Sequence, residues 1–135
     1  MESSSTTVHF GKTITPDLAN YNGNSTYSSG PQGKGRGGTT PVDHFKVANA
    51  FGLYDMHGNV WEWCADHWHN SYEGAPDDET IWSSNGKSSC RVVRGGSWLV
   101  GNPGNCRSAS RNSSLDINAV NELGFRVVCS APRLS

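Results

Sequence analysis

No apolar run in this sequence is long enough to build a layer of regular structure by itself. The clear ones are Val60-Trp-Glu-Trp-Cys-Ala65, Arg91-Val-Val-Arg94 and Gly124-Phe-Arg-Val-Val-Cys129, with polar chain between them. The first alternates, placing Trp61 and Trp63 on one side and Glu62 on the other, the period of a half-buried strand. Arg107-Ser-Ala-Ser-Arg111 is expected to be extended as well, with its arginines and Ala109 on one face. A helical turn is expected only around Asp116 to Asn121. Residues 1 to 40 scatter Val8, Phe10, Ile14, Leu18 and Tyr21 with no sustained period and read as loop. Few short strands joined by long loops around tryptophans indicate an irregular, loop-rich α+β domain.

Composition narrows this further. A chain of 135 residues has room for one domain, and it buries roughly two-thirds of the surface its unfolded form exposes. Only 34% of residues are apolar, yet there are five Trp, four Tyr and four Phe, so the core should rest on a few large aromatics. Sixteen Gly, 18 Ser and 12 Asn favour turns over helices. Eleven basic against 12 acidic residues leave no electrostatic footprint for nucleic acid. No run approaches the roughly 18 apolar residues of a membrane span, and Met1-Glu-Ser-Ser-Ser is not a leader; a soluble, cytoplasmic chain with no membrane partner is expected. Cys64, Cys90, Cys106 and Cys129 contain no C-x-x-C pair, so four free thiols are expected.

Other constellations are weaker. Gly30-Pro-Gln-Gly-Lys-Gly-Arg-Gly-Gly38 lacks the spacing of a phosphate cradle, since Gly35 and not Ser or Thr follows Lys34. It reads as a mobile glycine loop. His57, His67 and His69 lie near Asp55, Glu62 and Asp66 but in no zinc-binding spacing; His67 and His69 are expected to face solvent or to cap.

Three motifs are specific: Phe51-Gly-Leu-Tyr-Asp-Met-His-Gly-Asn-Val-Trp-Glu-Trp63, Arg94-Gly-Gly-Ser-Trp98 and Leu123-Gly-Phe-Arg-Val-Val128. In this order and spacing they closely resemble the formylglycine-generating-enzyme/sulfatase-modifying-factor family. The resemblance runs from about His9 to Cys129 and implies an irregular C-type lectin-like fold. It matches the later part of the family's usual domain, so residues 1–135 are expected to form one minimal or N-terminally shortened domain. A partner, self-association or fusion to effector domains would then supply the missing edge.

Within residues 94–128 a narrower resemblance appears. Gly95, Gly96, Trp98, Asn105, Cys106, Arg107, Ser108, Ala109 and Arg111 are similar to the framework of variable proteins diversified by retroelements, in which mutagenic reverse transcription alters Asn codons between fixed residues. This implies a ligand-binding surface of Trp98, Leu99, Val100, Gly101, Asn102, Ser110, Asn112, Ser113, Leu115, Ile117, Asn118, Val120 and Asn121, facing a protein or other ligand. An ordinary polar loop would also read this way.

The resemblance bears on chemistry in two ways. Formylglycine-generating enzymes use a cysteine pair shortly after Gly-Gly-Ser; here that stretch holds Cys106 alone, off either catalytic position. A single thiol cannot bind Cu(I) linearly, so neither copper nor oxidase activity is expected. The family also carries a Ca²⁺ site that maps onto the Asp55 and Glu62 side chains and the Gly58 and Val60 carbonyls, a set of oxygens suited to this ion. A second family Ca²⁺ site near Asn20 would lose its carboxylate to Lys34 or its neighbours. The expected function is therefore a non-catalytic domain displaying a variable face. A family oxidoreductase and a glycan-binding or scaffolding module of a larger protein are the alternatives.

Overall fold

The computed structural model describes residues 9–129; residues 1–8, with Val8, and 130–135 lie outside the described part. Four strands form one mixed sheet: β1 (Trp61–Trp68), β2 (Lys87–Arg94), β3 (Asn112–Leu115) and β4 (Leu123–Phe125), in the order β3-β2-β1-β4. β1 and β2 are antiparallel, with Glu62 opposite Arg94 and Trp63 opposite Val93. β4 joins the other side of β1 in parallel, and β3 lies antiparallel to β2. Register shifts along β1 between Trp63 and Trp68 mark bulges that turn its far end.

The alternation seen in the sequence puts Trp61 in the core and Trp63 partly against it, while Glu62 lies across the sheet beside Arg126. Ile14, Ala19, Tyr21, Val93, Val100 and Cys106 complete the buried cluster. Three of those seven residues come from where the sequence shows only loop. Ile14, Ala19 and Tyr21 are at most 2% exposed. The segment turns on itself, with the Leu18 and Ala19 N–H groups donating to the Thr15 carbonyl and the Tyr21 hydroxyl donating to the Ile14 carbonyl. An irregular wrap of this kind buries side chains without imposing a period, so periodicity could not find it. Burying an aliphatic side chain of the size of Ile14 contributes about 1.5–3 kcal/mol.

Other expectations are corrected locally. Arg107–Arg111 is not a strand: the Ser110 N–H bonds to the Arg107 carbonyl in a turn, and β3 begins only at Asn112. The expected helical turn at 116–121 is instead a turn closed from Asn118 to Leu115. Among the described residues the one helical element is a 3-10 turn, Pro103–Cys106, started by proline and capped by the Asn102 side chain. The last strand stops at Phe125 because Arg126 turns its guanidinium to Glu62; Val127 and Val128 are left 80% and 85% exposed. The glycine loop is anchored, with the Gly33 N–H on the Gly23 carbonyl and the Arg36 guanidinium on the Pro16 carbonyl. The whole is a loop-rich α+β fold with few, short strands.

Candidate functional site

Gly95 and Gly96, at φ of 90° and 78°, end β2 in the left-handed region that glycine adopts freely. A Cβ on Gly96 would run into the sulfur and backbone of Cys106. The turn delivers Ser97, fully buried, whose hydroxyl donates to Glu122 Oε2 at 3.0 Å. The Trp98 N–H bonds to the Asn59 carbonyl and its indole N–H reaches the Asn121 carbonyl at 3.4 Å. Asn22 N–H in turn holds the Val100 carbonyl. The start of the expected ligand segment is thus tied to three distant parts of the chain.

Beyond that anchor the residues face solvent. Leu99 is 53% and Ile117 84% exposed, and Leu115, Val120, Gly101, Asn102, Asn112, Asn118 and Asn121 are exposed too. Two clefts open here. One of about 380 Å³ is bordered by Trp98 and Leu99 together with Asn22, Asn24 and Lys34. Another of about 220 Å³ is bordered by Asn112, Ser113, Asn118 and Val120, with Trp61 and Glu122. Trp98 lines the first cleft and bonds to Asn121, one residue before Glu122 in the second. Val100 is a correction: at 9% exposure it packs in the core, because the Ser97–Val100 turn directs it inward. Ser110 is half-buried, with its hydroxyl on the Gly104 carbonyl. Sequence reading missed Asn22, Asn24, Lys34 and Glu122. The glycine loop was the available signal, but it was tested only as a phosphate cradle.

Arginines frame this face. Arg94 donates to the Ser108 and Ser110 carbonyls. The Arg111 guanidinium lies between the rings of Trp68 and Tyr72, 4.4 and 4.3 Å from their centroids, and donates to the His69 carbonyl. Such stacking suits the planar guanidinium. Arg107 is exposed.

Cys106 is fully buried, and that burial pushes its thiol up to about 12. It is therefore a protonated, inert thiol at neutral pH. Its carbonyl lies 2.6 Å from His57 Nδ1, while His57 Nε2 accepts the His9 N–H. These partners require the neutral ring with its proton on Nδ1. Burial lowers the His57 pKa, against the opposing effect of its bond to Cys106. Of the two roles expected for His67 and His69, facing solvent or capping, His69 takes the second: both residues are half-buried, and the His69 ring sits on the His67 and Ser84 carbonyls and stacks on Trp82. Among the described residues no cluster of three His, Cys, Asp or Glu side chains could hold a metal ion.

The Asp55–Glu62 turn has left-handed backbone at Asp55, Gly58 and Asn59. Gly58 is obligatory, since a Cβ there would strike the Asn20 carbonyl. Glu62 is held by Arg126 through both carboxylate oxygens, at 2.9 and 2.6 Å, and Arg126 also donates to the Tyr54 carbonyl. Asp55 Oδ2 is buried without a partner, and burial raises the Asp55 pKa against the pull of Arg126 and Asn59. An orphaned carboxylate oxygen fits a cation, and Glu62 retains lone pairs beyond its two bonds to Arg126.

The profile of the Sulfatase-modifying factor enzyme 1-like domain matches residues 5–131. The chain is 36% identical over 102 residues to the formylglycine-generating enzyme of Thermomonospora curvata, covering 72% of this chain and 32% of that protein. It is equally similar, 36% over 100 residues, to the inactive C-alpha-formylglycine-generating enzyme 2 of Mus musculus, covering 71% and 28%. Among solved structures it resembles PvdO from Pseudomonas aeruginosa, at TM-score 0.63 and 31% identity, covering 84% of this chain and 50% of that one. It also resembles Treponema denticola variable protein 1, at TM-score 0.57 and 29% identity, covering 82% and 35%. The chain thus spans about a third or less of these two curated relatives.

Proposed function

The chain belongs to the Sulfatase-modifying factor enzyme 1-like family, and from that premise we propose that it is a non-catalytic member displaying a diversified surface to a protein ligand. The observation that carries this reading is a contrast of burial within one segment. Ser97 and Cys106 are fully buried, the first bonded to Glu122 and the second packed against Gly96, while Leu99 and Ile117 between and beyond them are exposed at 53% and 84%. A fixed frame with a free face is what tolerance of sequence change requires. The similarity to a variable protein supports diversification by a retroelement and a C-type lectin-like version of the fold. Residues 1–135 then act as one domain, with 94–128 carrying the variable region.

A second reading is an active oxidoreductase, favoured by relatives named formylglycine-generating enzyme. The state of Cys106 opposes it, since a buried thiol pushed to about 12 supplies no thiolate for copper. The inactive relative of similar identity shows that the family sequence also occurs without activity.

One structural Ca²⁺ belongs to this proposal. Asp55 and Glu62 would hold it by side chain and Gly58 and Val60 by carbonyl, the bound ion supplying only charge neutralisation for the orphaned Asp55 oxygen.

The function is tested by selection. A library randomised at Leu99, Gly101, Ile117, Asn118, Val120 and Asn121 should yield clones that bind an arbitrary protein target, with affinity concentrated at a few of those positions. Randomising Ser97, Cys106 and Asn59 instead should yield no folded binders. Equal yields from the two libraries, or none from the first, would refute the reading.

A further inference from the structure

A further cleft lies under the long connection between β1 and β2. It measures about 460 Å³, within the roughly 300–1,000 Å³ of small-molecule sites. Residues 66–89 read from the sequence as a long polar excursion, yet the structure ties the base of this connection down at several points. His67 N–H donates to the Trp82 carbonyl, and Trp82 N–H donates to Asp66 Oδ1 at 2.9 Å. The His69 ring nitrogens lie 2.9 and 2.7 Å from the carbonyls of His67 and Ser84. That ring stacks flat on Trp82, with centroids 3.5 Å apart and planes 3° from parallel. Gly86 makes room for it, because a Cβ there would meet the His69 ring and His67 Cβ. Also lining the cleft is Trp68, covered on one side by Arg111 and with its indole N–H fixed by Asn70 Oδ1 at 3.1 Å.

Two indoles held in place by separate partners therefore border one polar cleft. Asn70, Asn85, Glu73 and Lys87 supply both donors and acceptors around them. The chemistry of the lining discriminates among ligands. One carboxylate and one ammonium give no net charge, which disfavours a phosphate-bearing ligand. Lys87 would repel a quaternary ammonium, the usual guest of an aromatic cage. An apolar drug-like molecule would leave the amide and charged groups unpaired. A pyranose matches: its ring C–H face is apolar and lies on an indole, and its rim of hydroxyls takes the amides, the carboxylate and the ammonium. We infer that the cleft between Trp68 and Trp82 binds a neutral pyranose unit of a glycan, without a metal ion. This site shares no lining residue with the two clefts of the display face or with the calcium site.

The test uses the full chain in chelator, with methyl β-glucopyranoside, methyl β-galactopyranoside, methyl α-mannopyranoside and N-acetylglucosamine as probes. Saturation-transfer NMR and tryptophan fluorescence should detect at least one of them with a Kd on the order of 1 mM. Trp82→Ala should abolish that binding. Because Trp82 also supports the loop, Glu73→Gln provides the second variant; Glu73 is exposed, so the fold should persist while affinity falls by about tenfold. No saturable binding of any probe at tens of millimolar would overturn the inference. So would binding that both variants leave unchanged.

Discussion

Cys106 decides much of the chemistry. Its sulfur fills the space beside Gly96, where a Cβ would collide, and burial alone pushes the thiol up to about 12. The unfolded chain would release this proton near the ordinary thiol value of about 8.5, while the folded chain keeps it. Stability from this group is intact below that value and falls as pH rises from there toward about 12, because the unfolded state then holds fewer protons. Alkaline unfolding curves should therefore slope downward above pH 9 or so, and Cys106→Ala should flatten the slope. At pH 8, iodoacetamide should leave Cys106 unlabelled in the native protein and label it once urea unfolds the chain. Rapid labelling of the native thiol would show a reactive thiolate and revive the oxidase reading.

The turn after β2 is the element on which the face depends. Gly95 and Gly96 have left-handed backbone, and Ser97 beyond them is locked to Glu122. Gly96→Ala should cost at least about 1–3 kcal/mol for the backbone alone, with the clash against Cys106 added to it. A drop in melting temperature of several degrees checks this; an unchanged melting curve would mean the turn is not a fixed support. The sequence made the two sides of this element unequally legible. β1 and β2 were readable because alternation and β-branched pairs are local signals, as were the glycines that end β2. β3 was displaced by one turn because Pro103 and Asn102 start a 3-10 helix that shifts the following residues out of extension. Val100 read as surface because nothing near it in sequence shows that Asn22 holds its carbonyl from nearly eighty positions away. The same is true of Asn22 and Lys34 beside Trp98: long-range loop packing leaves no periodic trace. The sequence leaves His69 between solvent and a capping role because its partners Trp82, Ser84 and Gly86 lie across a long connection.

For the whole molecule, the four-stranded sheet and the wrap over Ile14–Tyr21 form a base that holds two unlike features. One is the proposed display face, and the other is the Asp55–Glu62 turn with its buried Asp55 oxygen. If Ca²⁺ binds that turn, it stabilises the native state by RT ln(1 + [L]/Kd), about 2.7 kcal/mol at a hundredfold excess. Chelation should lower the melting temperature of the wild type and leave Asp55→Asn unmoved. Superimposable wild-type curves with and without chelator would remove the ion from the account. No helix among the described residues is long and apolar enough to cross a membrane. The central claim, a fixed frame carrying a free face, is tested most directly by stability and needs no ligand. A chain with Leu99, Gly101, Ile117, Asn118, Val120 and Asn121 replaced together should fold, each exposed exchange costing within about 0.5 kcal/mol. Trp61→Ala, removing one 8%-exposed core side chain, should cost about 3–5 kcal/mol. A sixfold variant whose melting temperature falls less than that of Trp61→Ala is the predicted result; one that unfolds as readily would show those residues to be core and would contradict the display function.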